Sequence, residues 1–137
     1  MGPFPPASPN TLHERLPATR ESVGAARRVI ERFAAGLDVD LDGIVLAISE
    51  AVGNVVAHAY RDGTRGEVEL SATASPSDLT VTVRDQGRGL AAGDGNPGAG
   101  YGLMIIRRVA QRVELADTPA GVALTMEFPR RRARSGR

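Results

Sequence analysis

Between Val23 and Leu37 the apolar residues fall at Val23, Ala26, Ile30, Phe33 and Leu37. Spacings of three and four make one stripe along a helix. Thr19 or Ser22 stands where an N-cap is needed, and Gly36 loosens the far end. The next periodic segment is broader. Leu41, Ile44, Val45, Ile48, Val52, Val55, Val56 and Ala59 predict a helix over 41–59, with Asp40 or Asp42 supplying negative charge at its start. Arg61–Gly66 then reads as a turn.

The period changes to two after residue 66. Val68, Leu70, Ala72 and Ala74 alternate with Glu67, Glu69, Ser71 and Thr73, and beyond a turn at Pro76–Asp78 the parity reverses, with Leu79, Val81 and Val83 apolar. Both segments predict half-buried strands. A glycine-rich loop over 86–102 leads to a helix over 103–112, a strand over 113–116, a turn at 118–121 and a last strand with Val122, Leu124, Met126 and Phe128 facing inward. His13–Ala18 is compatible with an edge strand, because Pro17 is tolerated only at an edge or a strand end. The order β-α-α-β-β-α-β-β predicts an α+β two-layer sandwich: a mixed, mostly antiparallel sheet with its helices on one face. Residues 1–11 read as a flexible Pro-rich leader, 12–129 as one domain and 130–137 as a basic tail.

Composition narrows the chemistry. The 137 residues include no cysteine, and all 17 basic residues are arginine. There is therefore no thiolate metal site, no cysteine nucleophile, no Walker A lysine and no Schiff-base lysine. Net charge is +1, yet the tail RRRARSGR holds five arginines and no acid. The other 129 residues carry 12 arginines against 16 acids, a balance of −4. The tail reads as a solvated, disordered terminus or as a contact for nucleic acid or an acidic partner. With three Phe, two Tyr and no Trp, the domain lacks a stacking platform for nucleic acid. No segment has the length of a membrane helix or the layout of a signal peptide, so a cytoplasmic location is expected.

Three polar groupings stand out. Glu50, Asn54 and His58 recur every four residues along one side of the second helix. That side is either solvated or a place for a hard cation and a proton acceptor. Asp85 continues the inward parity of Leu79, Val81 and Val83, where a carboxylate is costly without hydrogen-bond donors; it also opens Asp85-Gln86-Gly87-Arg88-Gly89. Gly98-Ala99-Gly100-Tyr101-Gly102 precedes a helix, an arrangement whose amides suit phosphate.

In this order the groupings resemble the N, G1 and G2 boxes of the Bergerat ATP-binding fold of gyrase, MutL and histidine kinases. The wording EAVGNVVAHAY, DQGRGL and GYGLMIIRRV is similar to that of bacterial anti-sigma-factor serine/threonine kinases. The resemblance implies ATP and Mg²⁺ as ligands. It assigns Glu50 as general base, Asn54 as the Mg²⁺ ligand and Asp85 as acceptor of the adenine amino group. Gly87 and Gly89 would border the base, and Gly98, Gly100, Tyr101, Gly102 and Leu103 would form the phosphate segment. It further implies a sigma factor and an anti-anti-sigma (STAS-type) protein as partners, phosphorylation of the latter, a homodimer, and no direct contact with nucleic acid or membrane. Relatives carry Gly-Thr at the start of the last strand, where this chain has Gly121-Val122, and residues 90–99 contain no basic side chain. A non-catalytic ATP-binding module, whose nucleotide occupancy sets partner affinity, is the alternative.

Overall fold

A computed structural model describes residues 10–62, 66–85, 97–118 and 121–131, with the backbone alone for 58–62 and 97–102. Five strands and three helices follow in the order β1 (Thr11–Pro17), α1 (Arg20–Ala34), α2 (Leu41–Asp62), β2 (Glu67–Ala74), β3 (Asp78–Asp85), α3 (Pro97–Val109), β4 (Arg112–Thr118) and β5 (Gly121–Pro129). The strands form one sheet, β1-β2-β3-β5-β4. All four ladders are antiparallel, so the mixed sheet expected above contains no parallel ladder. The reason is the crossover: α3 returns β4 parallel to β3 but one place further out, and β5 fills the gap between them.

Local chemistry explains most element boundaries. Thr19 occupies the N-cap position of α1, while Ser22 Oγ turns back to donate to the Pro17 carbonyl. Gly36 closes the far end at φ +89°, a value that a side chain would disfavour. Asp40 caps α2, its Oδ1 accepting from the Gly43 amide at 3.2 Å. α2 continues to Asp62 instead of ending at Ala59, since nothing before Gly63 breaks it. The largest departure is α3. It begins at Pro97, six residues before the expected start, so the segment read as the end of a loop supplies its first turns. Pro97 presets φ for a first helical position, and packing of α3 on α2 carries the helix despite the poor propensity of the three glycines that follow.

The core lies between the sheet and α2, with α1 and α3 packed on either side of α2. Ile30, Ile44, Ile48, Leu70, Leu79, Ile106, Met126 and Phe128 are fully enclosed, each such side chain contributing about 1.5–3 kcal/mol on burial. The strand parities hold: the even positions of β2 and the odd positions of β3 are buried. Gly43 sets the approach of α3 to α2, because a Cβ there would lie 2.7 Å from Val109 Cγ1.

The two ends of the sheet differ. At the Asp78–Pro129 end, Arg130 Nε donates to Asp38 Oδ1 at 2.9 Å and its Nη1 to the Ser75 carbonyl at 2.8 Å. The Arg131 amide reaches the Asp38 carbonyl. This latch ties the end of β5 to the α1–α2 connection. α2 therefore starts at the latch end and finishes near Val68, the register partner of Asp85. α3 runs the opposite way, toward β4, which starts opposite Glu127 at the latch end.

Candidate nucleotide site

Asp85 ends β3 at the sheet's other end and is 5% exposed. Its register partners are Val68 on β2 and Val122 on β5, both buried. Because cross-strand partners share a face, the carboxylate lies in an apolar row on the helix side of the sheet. This is the inward placement that alternation in β3 predicts.

Glu50 and Asn54 are half-buried on α2. Successive helical residues turn by about 100°, and this locates the pair. Gly43 marks the flank of α2 that meets α3; Ala47, Glu50 and Asn54 follow on that flank. The opposite flank carries Val45 and Ser49, which line a cleft against Arg27 and Glu31 of α1. The side that carries Glu50 and Asn54 is thus the shoulder of α2 toward α3. His58 continues along α2, with its side chain outside the described residues.

Since α2 and α3 are antiparallel and touch at Gly43 and Val109, equal steps away from that contact bring matching positions side by side. Seven residues on from Gly43 is Glu50, and seven back from Val109 is Gly102. Eleven residues on is Asn54, and eleven back is Gly98. At about 1.5 Å per residue, the polar pair on α2 and the glycine segment on α3 both lie roughly 10–16 Å along their helices from that contact, toward the same end. Gly98, Gly100, Tyr101 and Gly102 lie in the first two turns of α3, and Leu103 is partly buried against the core. First-turn amides of a helix have no acceptor within it and favour an anion. Gly87, Gly89, Arg88 and most of the stretch 90–99 lie outside the described residues.

Carboxylate, carboxamide and glycine segment thus lie toward the same end of the fold. The donor types fit a purine nucleotide with its cation: an enclosed carboxylate takes an exocyclic amine, and a carboxamide oxygen is a hard ligand. Among the described residues no trio of His, Asp or Glu could hold a metal ion by itself, so a cation here would need phosphate oxygens as further ligands. Asp117 on β4 was not among the expected site residues. It pairs in register with Val122, on the helix side of the sheet, but is exposed at the β4 edge. Its signal is the parity Val113, Leu115, Asp117, which repeats that of β3.

Residues 16–128 match the family described as histidine kinase-like ATPase domain. A serine-protein kinase RsbW of Halalkalibacterium halodurans is 31% identical over 136 residues, covering 86% of this chain and 82% of the relative. An anti-sigma F factor of Bacillus subtilis is 31% identical over 84 residues, 59% of this chain and 58% of the relative. The chain thus aligns with little more than half of that relative's length. The crystal structure of the RsbU and RsbW domains of Rv1364c from Mycobacterium tuberculosis superposes with a TM-score of 0.67 at 23% identity. That match covers 89% of this chain and 33% of the other, and it supports the fold. No described helix is long and apolar enough to cross a membrane.

Proposed function

The chain belongs to the histidine kinase-like ATPase domain family, and from that premise we propose that it is a Mg-ATP-dependent anti-sigma regulator. In this reading it sequesters a sigma factor and phosphorylates a serine or threonine of an anti-anti-sigma, STAS-type partner. The observation that supports it is the burial of Asp85 on the helix side of the sheet, at the end toward which the Glu50–Asn54 pair and the α3 glycine segment also lie.

Each residue has a task set by its chemistry. Asp85, acceptor-only and enclosed by Val68 and Val122, selects the amino group of adenine. Asn54 would hold Mg²⁺ through its carboxamide oxygen. A bound cation would supply charge neutralisation on the phosphates. Glu50, one turn before Asn54, takes the proton from the attacking hydroxyl as the new P–O bond forms and the bond to the ADP leaving group breaks. First-turn amides of α3, freed by glycine, face the phosphates.

Val122 supports a second reading. It stands directly across from Asp85, where relatives place a threonine, so one hydroxyl is missing beside the base. In that reading the chain binds nucleotide without transferring phosphate, and occupancy alone sets partner affinity. Incubation with Mg-ATP and purified candidate STAS proteins separates the two. The kinase reading expects phosphoserine or phosphothreonine on one partner, lost in Glu50→Gln while the ATP-induced rise in melting temperature persists. ATP stabilisation without any phosphorylated partner, and partner release unchanged in Glu50→Gln, would establish the binding module. No ATP-dependent shift would remove both.

A further inference from the structure

Among the described residues β1 and β4 are the two outer strands of the sheet, and they differ in what they present. On β1 the central helix-side position is Glu14, whose register partner Leu70 is fully buried. A charge pointing inward at mid-strand, followed by Pro17, discourages another strand from pairing there. On β4 the equivalent central position is Leu115. Its register partner Leu124 is 2% exposed, yet Leu115 itself is 48% exposed. The apolar face of the sheet therefore runs past its own edge, with no guard residue at the middle of the strand.

The rim above that edge is apolar and basic. On α3, Ile106 points into the core and Val109 is turned toward Gly43 of α2. By helical rotation Leu103 and Arg107 occupy the flank away from α2, above β4, and Met104 and Arg108 face outward. Met104 is 47% exposed, and Arg107 and Arg108 are exposed. α3 has no acidic residue over its whole length, whereas α1 carries Glu21 and Glu31 and α2 carries Asp42, Glu50 and Asp62. On β4, Glu114 points to the opposite face, and Asp117 lies at the nucleotide end.

We propose that the β4 edge and the α3 rim form a docking surface for an acidic segment of a partner protein that adds to the sheet as a sixth strand. Main-chain hydrogen bonds to β4 would carry the pairing. An aliphatic side chain of the segment covers Leu115 and Met104, and its carboxylates meet Arg107 and Arg108. A second copy of this chain is a poorer occupant, because pairing β4 with itself brings two such arginine sets together. The inference concerns partner recognition and does not rest on nucleotide binding or phosphotransfer.

The test uses the full chain and a short fluorescent peptide alternating valine with glutamate. Saturable binding is expected, with slowed hydrogen exchange at the β4 amides not bonded to β5. Replacing Arg107 and Arg108 by Glu should weaken binding about tenfold, as two exposed ion pairs allow. Leu115→Glu should abolish it, with melting temperature and ATP response as checks on folding; Met104→Glu serves if Leu115→Glu fails to fold. A valine–lysine peptide should not compete. Equal binding of acidic and basic peptides, absence of binding, or indifference to both Leu115→Glu and Met104→Glu would overturn the proposal. Binding without β4 protection would indicate a helical occupant, and a dimer lost in Leu115→Glu would indicate a second copy; either outcome overturns it too.

Discussion

Restoring the missing hydroxyl beside Asp85 should tighten ATP binding. In Val122→Thr the new side chain keeps its position opposite Asp85. Cross-strand partners hold their Cβ atoms about 4.5–5.5 Å apart, so a hydroxyl on one is within reach of a carboxylate on the other and of a base bound to it. One added hydrogen bond is worth about 0.5–1.5 kcal/mol, or roughly three- to tenfold in affinity. The nucleotide-free protein should respond the other way. Val122 is 1% exposed, and burying a hydroxyl there costs about 1–3 kcal/mol where it lacks a partner. A partial offset comes from Asp85, which can accept from it. Calorimetric titration with Mg-ATP gives the affinity, and urea unfolding without nucleotide gives the stability. The pairing with Asp85 is checked by a double-mutant cycle: in an Asp85→Asn background the gain from Val122→Thr should shrink or vanish. An unchanged affinity in folded Val122→Thr, or an equal gain in both backgrounds, would refute the geometry argued for this site.

Gly43→Ala should destabilise the fold, because its Cβ would meet Val109 Cγ1 at 2.7 Å and also crowd the Asp40 side chain. Overpacking of about 1–3 kcal/mol outweighs the helix-propensity gain of up to about 1 kcal/mol, and a lower urea midpoint should show it. The Asp38–Arg130 latch gives a pH signature. The Arg130 hydrogen bond holds the Asp38 carboxyl below its ordinary value of 3.8. Its contribution is therefore present above that value and lost as pH falls through the lower folded one. Asp38→Asn should lower the urea midpoint at neutral pH, and the deficit should close in acid below pH 3.8. Chelating Mg²⁺ should weaken ATP binding by about tenfold or more, and Asn54→Ala should remove part of that Mg²⁺-dependent increment in the same titration.

Elements that bury one face were legible in the sequence, and so was Asp85. Alternation in β2, β3 and β5 follows from one side of the sheet being packed, and Asp85 inherits its inward direction from three preceding apolar positions. The start of α3 was not legible. Glycine at 98, 100 and 102 argues for a loop by propensity, and only tertiary packing with Pro97 at the first position makes a helix there. Nor did the stripe of α2 reveal which flank holds Glu50. The hydrophobic period shows where the core is, but the flank toward α3 is set by the Gly43–Val109 contact, a meeting of two distant segments. Asp117 escaped for the same reason: its nearness to Asp85 comes from β5 inserting between β3 and β4, which no local pattern encodes.

A chain without lysine must hold polyphosphate by other means, and the described end of the α2–α3 groove sharpens that demand. Asp85 and Asp117 share the helix-side row with Val68 and Val122, a row that contains no cation, and Glu50 stands on the adjoining flank of α2. At about 8 Å a unit charge interacts with a carboxylate by about 0.5–2 kcal/mol, depending on how wet its surroundings are, and less at greater range. Free ATP would enter as a multiply charged anion against that field, whereas Mg²⁺ removes two units of negative charge before the phosphates meet it. In the proposed site the carboxylates would therefore disfavour uncomplexed nucleotide. In the proposed site the absence of lysine and the surplus of acid would be one feature: neutralisation would fall to a cation that arrives with its ligand, held by Asn54, while the α3 amides face the phosphates.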